Sequence, residues 1–259
     1  MDEKSRFSIL PHALYARLGT GEAPIILDVR PTQEFSAAGD MIVGSLRRAP
    51  EALPSWAELL PRDRDIVVYF GNDCTDGETI AVALERRGLD CHVLQGGLAA
   101  WRAEGLPLRV RRAESHRWVT RERPKVDRIA CPWLIRRFID PEAEFIYVPA
   151  ASVRETAAKE NATPYDIPDA EFGHVGDCCS FDAFLRLYDI RDRALVRLAL
   201  IVRGADTRRP ELAPESPGLL AVSQGLSANF VNDHAMLEQG MHVYDALYAW
   251  CRLQEGDAA

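Results

Sequence analysis

The sequence has no apolar run long enough to cross a membrane and no CxxC pair of cysteines. Its longest plain apolar runs, such as residues 198–202, are far shorter than the ~20 residues of a spanning helix. The start, MDEKSRFSIL, is charged and lacks the apolar core of a secretory signal. Six scattered cysteines in so long a chain are typical of thiols in a reducing compartment. We therefore expect a cytoplasmic protein without membrane insertion.

The sequence also lacks an excess of positive charge. Its formal net charge is -8, which argues against nucleic acid as a partner, because phosphates are repelled by an acidic surface. Residues 109–128 depart from this balance, with eight Lys or Arg residues against three acidic ones. This segment is either a solvated linker or a patch that faces an anion.

No internal repeat or low-complexity tract interrupts the 259 residues, a length typical of two domains. In the first hundred residues, apolar runs typical of buried parallel strands (PIILDVR, DIVVYF, CHVLQGG) alternate with helix patterns that end in glycine (ETIAVALERRGL, LAAWRAEG). This alternation predicts an α/β domain with an open parallel sheet and flanking helices. Ligands of such sheets bind beyond the carboxyl ends of the strands, where the loop with Cys74 lies.

The rest of the chain has a different pattern. Proline and charged residues with little periodicity mark a linker, which we place at 109–118 between domains at 1–108 and 119–259. Beyond the linker, segments such as RDRALVRLALIVRG predict helices, and AEFIYVP is the one clear strand. We therefore expect the second domain to be mostly helical, of the α+β class.

The segments ILDVRPTQEF, VVYF and ALERRGLDCHVLQGGLAAW, in this order and spacing, resemble the rhodanese family over roughly residues 7–108. The resemblance implies a rhodanese-like fold and a nucleophilic cysteine directly after the central strand, inside a ring of backbone N–H donors. Here that position is Phe70, which is no nucleophile, and Cys74 lies four residues further on. Two interpretations stay open: the domain is silent as a sulfurtransferase and serves as a binding module, or Cys74 is a catalytic thiol in an altered loop.

The passage RERPKVDRIACPWLIRRFIDPEAEFIYVP is followed by YDIPDAEFGHVGDCCSFDAFL, ALIVRGADT and DHAMLEQGMHVYDALYAWCR. Together these motifs resemble the C-terminal domain of the ChrB-type chromate-resistance proteins over about residues 118–252. The resemblance implies a stress-response role in chromate resistance or in its regulation. In full-length relatives a different domain precedes this one, so a DNA-binding role of that domain does not carry over.

Within the first of these motifs, the segment KVDRIACPWLIRRF carries three arginines, Arg128, Arg136 and Arg137. A guanidinium group matches two oxygens of an oxyanion at once, so these residues either bind a small anionic ligand such as chromate or sulfate, or pair with acidic neighbours. Asp127 is suited to cap the helix that follows. Cys131 is either a redox-active thiol with a lowered pKa or a buried core residue.

The second motif concentrates metal-ligating side chains in GHVGDCCSFD, in a turn where Ser180 is a candidate helix N-cap. On the closing helix, His234 and Glu238 are spaced i, i+4 and lie on one face. We predict a transition metal ion, Fe, Mn or Zn, held by His174, His234 and Glu238. Around it we expect Cys179 as a second candidate thiol, and Asp182, Asp206 and Asp233 as supporting residues. The alternative is a polar network that only supports structure.

Two functional hypotheses follow from these motifs. The first is an enzyme whose second domain binds a metal and performs redox or detoxification chemistry. The second is a sensor that binds an oxyanion through its arginines without turnover. Sulfur transfer by Cys74 is a third hypothesis, weakened by Phe70. The metal hypothesis requires His174 and His234 to meet in one polar pocket.

Overall fold

The computed structural model describes residues 8–71, 74–113 and 115–256, without the side chains of residues 74–76. Two compact units divide between Arg111 and Arg112. This division lies inside the stretch predicted as a linker, but both ends of that stretch belong to strands, Leu108–Val110 and Arg117–Arg121. The charged segment that predicts a linker therefore overlaps with two strands.

The first unit is an α/β structure. Its strands are β1 (Ser8–Ile9), β2 (Ile25–Asp28), β3 (Asp40–Ile42), β4 (Ser45–Arg47), β5 (Ile66–Tyr69), β6 (Cys91–Leu94) and β7 (Leu108–Val110). Its helices are α1 (Pro11–Ala16), α2 (Thr32–Ala37), α3 (Leu53–Ala57), α4 (Cys74–Glu85) and α5 (Gly97–Ala103). Five strands form a parallel sheet in the order β1-β6-β5-β2-β4, and β3 pairs with β7 in an antiparallel ribbon.

Strand β5 lies in the middle of the parallel sheet, with Val68 opposite Leu27 on one side and Val93 on the other. All four residues of β5 are buried, as expected for a parallel strand covered on both faces. The prediction of an open parallel sheet with flanking helices is therefore confirmed. Phe70 directly follows the carboxyl end of β5.

The second unit is mostly helical. Its strands are β8 (Arg117–Arg121), β9 (Glu144–Val148) and β10 (Thr163–Pro164), and its helices are α6 (Asp127–Leu134), α7 (Val153–Glu160), α8 (Ser180–Leu187), α9 (Arg193–Asp206), α10 (Ser216–Asn229) and α11 (Asp233–Glu255). The three strands form a parallel sheet in the order β10-β8-β9. The prediction of a mostly helical unit that contains a strand is confirmed, although the sequence pattern does not predict β8 and β10.

Aromatic residues fill the core of the second unit. Trp118 on β8 is buried and its ring lies 5.2 Å from that of Phe172 and 5.3 Å from that of Phe184. Trp133 on α6 is also buried, and its Nε1 donates a 2.7 Å hydrogen bond to Asp245 on α11. These contacts fix α6, α8 and α11 against the sheet. Among the described helices none is long and apolar enough to cross a membrane.

Candidate metal centre

Charged side chains meet at one edge of the sheet in the second unit. Arg121 is the last residue of β8, and Asp166 lies two residues beyond the end of β10. Because these strands are parallel, their carboxyl ends share that edge, the usual position of ligand sites in such sheets. Asp127 begins α6 and Asp206 ends α9, so helix termini bring two more carboxylates.

His174, in the loop before α8, lies at the centre of these carboxylates. Its Nε2 is 3.2 Å from Asp206 Oδ2, 3.4 Å from Asp166 Oδ1 and 3.5 Å from Asp127 Oδ2. Candidate ligand atoms of His174, Asp127 and Asp206 all lie within 4.8 Å of one another. We call His174, Asp127, Asp166 and Asp206 the acidic cluster. It gathers residues that are far apart in the sequence around a single imidazole nitrogen.

Asp127 is the deepest member of the acidic cluster, with 0% of its surface exposed. Its Oδ2 accepts a 2.6 Å hydrogen bond from the backbone N–H of Ser180, at the start of α8. Its Oδ1 is buried and has no hydrogen-bond partner among the described residues. A buried carboxylate oxygen without a donor is costly, so this atom is available to a cation. Asp127 thus serves the cluster and the start of α8 and does not cap its own helix.

The backbone before Asp127 is strained. Val126 has a φ of 35°, a conformation that is an outlier for a β-branched residue. The N–H of Val126 donates a 2.9 Å hydrogen bond to the hydroxyl of Ser223, and the hydroxyl of Tyr244 donates a 3.0 Å hydrogen bond to the carbonyl of Val126. Helices α10 and α11 therefore hold the chain in the conformation that points Asp127 into the cluster, and such strain is common at functional sites.

Asp166 differs from the other carboxylates because both of its oxygens have partners. Oδ1 accepts a 2.9 Å hydrogen bond from the Ser180 hydroxyl, and Oδ2 accepts one of 2.9 Å from Arg121. The Nε of Arg128 lies 3.3 Å from the same Oδ2. Asp166 is therefore suited to orient its neighbours, whereas Asp127 and Asp206 are suited to ligate an ion.

Burial and the neighbouring charges shift the pKa values of the residues in the acidic cluster. Burial raises the pKa of Asp127 to about 7. Hydrogen bonds to three carboxylates raise the pKa of His174. Burial alone would raise the pKa of Asp166, but hydrogen bonds from His174 and Ser180 and the nearby arginine charges lower it. Carboxylates crowded in this way need a cation between them, either the proton on His174 or a metal ion that replaces it.

The donor set indicates which metals fit. One imidazole nitrogen with carboxylate oxygens and no thiolate favours Mn²⁺ or Fe²⁺ over copper or a structural zinc ion. His174 is 44% exposed and Asp206 21% exposed, so one side of the cluster is open. An ion held by His174, Asp127 and Asp206 would have positions left for an external ligand.

The other two predicted metal ligands are not members of the acidic cluster. His234 is exposed, with its ring 5.4 Å from that of Tyr147. Glu238 is exposed and accepts a 2.8 Å hydrogen bond from Arg136. The i, i+4 spacing places them on one face of α11, but among the described residues no third ligand atom lies close to both. The structure brings Asp206 to His174 in their place.

The remaining supporting residues and arginines have separate partners. Asp182 forms a two-point ion pair with Arg203, at 2.6 and 2.9 Å, and Asp233 accepts a hydrogen bond from the backbone N–H of Arg123. Arg137 forms a two-point ion pair with Asp245, at 2.9 and 3.1 Å. Of the three predicted oxyanion-binding arginines, Arg128 lies beside the acidic cluster.

The candidate thiols of the second unit are buried. Cys131 and Cys179 are 0% exposed, and burial raises the pKa of both thiols well above its usual value. Cys179 is the N-cap of α8, so Ser180, the predicted cap, is the first helical residue. These positions favour the core role for both thiols, since a buried neutral thiol is a poor nucleophile.

The nucleophile position of the first unit is filled by an aromatic ring. Phe70 is 4% exposed. A Cβ added to Gly97 would lie 2.9 Å from its ring, and one added to Gly77 would lie 2.5 Å from it. The ring is therefore packed against two glycines that leave room for it. The Cys74 side chain lies outside the described residues.

Sequence reasoning missed three members of this site. The sequence predicts Asp127 as a cap of its own helix and contains no signal for Asp166. Arg121 belongs to the basic segment 109–128, for which an anion-facing patch is one of two interpretations. That charge excess was the available signal for Arg121.

Comparison with known families assigns both units. The family model described as "ChrB, C-terminal domain" matches residues 118–251, and the model of the rhodanese-like domain matches residues 10–104. Protein ChrB of Cupriavidus metallidurans is 37% identical over 136 residues, which are 52% of this chain and 40% of that protein. The chain thus spans well under half the length of this relative. A sulfurtransferase of Allochromatium vinosum is 28% identical over 96 residues, 37% of this chain and 88% of that protein.

Solved structures similar to this chain match a part of it. A rhodanese-related protein from Thermoplasma volcanium is 25% identical and covers 39% of this chain and 96% of its own, with a TM-score of 0.35. A rhodanese-like domain from an Anabaena protein is 30% identical and covers 36% of this chain and 99% of its own, with a TM-score of 0.32.

Proposed function

The chain belongs to the family of the ChrB C-terminal domain, with a rhodanese-like domain before it, and from this premise we propose that it acts in chromate resistance through a metal centre in its second unit. The ion is Mn²⁺ or Fe²⁺, and its ligands are His174, Asp127 and Asp206. The observation that carries the proposal is the cluster of carboxylates around one imidazole, with Asp127 Oδ2 3.5 Å and Asp206 Oδ2 3.2 Å from His174 Nε2; the buried Oδ1 of Asp127 has no donor in the described structure.

The geometry favours a functional ion over a purely structural one. Structural zinc sites are closed by four protein ligands, whereas functional sites keep a position open. Here three ligands come from α6, α9 and the loop before α8, and the side of His174 and Asp206 is partly exposed. The open positions suit a small oxygen-rich anion, the ligand class that the family's association with chromate resistance suggests.

The central prediction concerns metal content. Untagged protein, reconstituted with Mn²⁺ or Fe²⁺ and desalted, should retain a single ion per chain in elemental analysis. His174→Ala should lose this ion because it removes the nitrogen donor, while the matched change His234→Ala on the exposed face of α11 should retain it. An equal loss in both variants, or no retained ion in the wild-type protein, would contradict the proposal.

A second candidate function is a sensor that binds an oxyanion without turnover. Arg121 and Arg128 favour it, because both lie against Asp166 at the edge of the acidic cluster. The Nε atom of Arg121 is buried and lacks a hydrogen-bond partner within the described chain. Two guanidinium groups in this position match the oxygens of a tetrahedral anion.

Sulfate binding to metal-free protein separates the two functions. A sensor should bind sulfate in calorimetry without added metal and lose the heat of binding in Arg128→Gln. Arg136→Gln, which breaks an ion pair with an exposed carboxylate, is the control and should leave binding unchanged. If only the metal-loaded protein binds sulfate, the sensor hypothesis is rejected and the metal centre is favoured.

We propose further that the rhodanese-like unit serves as a binding module and does not transfer sulfur. The supporting observation is the buried ring of Phe70 at the position where the family's nucleophile follows the central strand. Without a thiolate there, backbone donors such as those that surround the nucleophile in the rhodanese family would have no persulfide to stabilise.

An assay with thiosulfate and cyanide tests this assignment. We expect no thiocyanate above the rate without protein, and no difference between the wild-type chain and Cys74→Ser. Thiocyanate formation that Cys74→Ser abolishes and Cys178→Ser leaves intact would instead make Cys74 the nucleophile.

A further inference from the structure

We infer that Ser180 is the positioning residue of the metal centre. Its hydrogen bonds hold Asp166 as an orienting group and leave Asp127 and Asp206 as the carboxylate ligands. This inference rests on the proposed metal centre and extends it to a residue that touches no ion. Ser180 is the first residue of α8 and is 0% exposed. It contacts two different carboxylates through two different donors.

The two hydrogen bonds of Ser180 have opposite consequences for their acceptors. Its backbone N–H donates to Asp127 Oδ2 at 2.6 Å and so fixes the carboxylate, while Oδ1 has no hydrogen-bond partner among the described residues. Its hydroxyl donates to Asp166 Oδ1 at 2.9 Å, while Arg121 occupies Oδ2. Both oxygens of Asp166 therefore have hydrogen-bond donors, whereas one oxygen of Asp127 has none among the described residues.

The position of Ser180 is itself fixed by the start of α8. The carboxylate of Asp182 accepts a 3.0 Å hydrogen bond from the N–H of Cys179 and pairs with Arg203 on α9. Arg203 precedes Asp206 by three residues, so both lie on one side of α9. The ion pair therefore sets the distance between Ser180 and the ligand at the end of α9.

Outer hydrogen bonds of this kind orient metal ligands, and their loss typically costs about 10- to 100-fold in metal affinity. Replacing Ser180 with alanine removes the hydroxyl that bonds Asp166 and keeps the backbone N–H that bonds Asp127. Ser180→Ala should therefore release Asp166 Oδ1, which lies 3.4 Å from His174 Nε2, and leave it to hold the proton of the imidazole in competition with an ion, without removing any ligand. Ser180→Thr keeps both donors.

Calorimetric titration of MnCl₂ into the full chain tests the inference. Ser180→Ala should bind Mn²⁺ about 10- to 100-fold more weakly than the wild-type chain, and Ser180→Thr should restore most of the affinity. The matched control is Ser216→Ala, which removes another buried hydroxyl, bonded to the carbonyl of Ile201 and absent from the cluster. It should bind as the wild-type chain does.

Each outcome decides a separate claim. Wild-type binding with unchanged affinity in Ser180→Ala, or an equal loss in Ser216→Ala, overturns the inference and leaves the metal centre standing. A wild-type chain that binds no Mn²⁺ or Fe²⁺ overturns both. Circular dichroism of the metal-free proteins shows whether each variant folds. If Ser180→Ala does not fold, Asp166→Ala removes the acceptor of the same hydrogen bond and should weaken binding to a similar extent.

Discussion

The second unit depends on the burial of one carboxylate, that of Asp127. Removing an ionised carboxylate from water costs several kcal/mol unless partners replace the lost hydration. The described structure supplies the N–H of Ser180 on one oxygen and the imidazole of His174 nearby, and supplies nothing to the other oxygen. The strained Val126 and its bonds to α10 and α11 hold this arrangement in place. A cation beside this carboxylate would offset the cost of burying it.

The first unit provides a useful contrast, because it also buries an aspartate. Asp28 is 0% exposed, but it accepts a 2.9 Å hydrogen bond from Arg30 Nε and one of 2.8 Å from the Tyr69 hydroxyl. Its charge is neutralised by an arginine that is itself 1% exposed. Such a closed network has no free oxygen for an ion, and its role is to join the strand ends. The burial of an aspartate alone therefore does not indicate a metal site. A buried carboxylate oxygen without a hydrogen-bond donor, in a cluster of carboxylates, favours one.

Local pattern was enough to predict the parallel sheet of the first unit and the helices of the second. A continuous apolar run such as DIVVYF indicates a buried strand, and an amphipathic run such as RDRALVRLALIVRG indicates a helix with one face in the core. The motif with His174 was also visible, because its ligand-type residues are close in sequence. The partners of His174 were not visible. Asp166 follows a strand of two residues, and Asp127 points away from its own helix toward α8. His234 and Glu238 had the right spacing, but spacing on a helix does not say what the helix face packs against.

The central claim is that a metal ion binds between Asp127, His174 and Asp206. The most direct measurement is anomalous diffraction from crystals of the chain grown or soaked with Mn²⁺. We predict one strong anomalous peak within coordination distance of His174 Nε2 and of oxygens of Asp127 and Asp206, with Asp166 still bonded to Ser180. A peak beside His234 and Glu238, or well-ordered crystals with no peak at the acidic cluster, would contradict the claim.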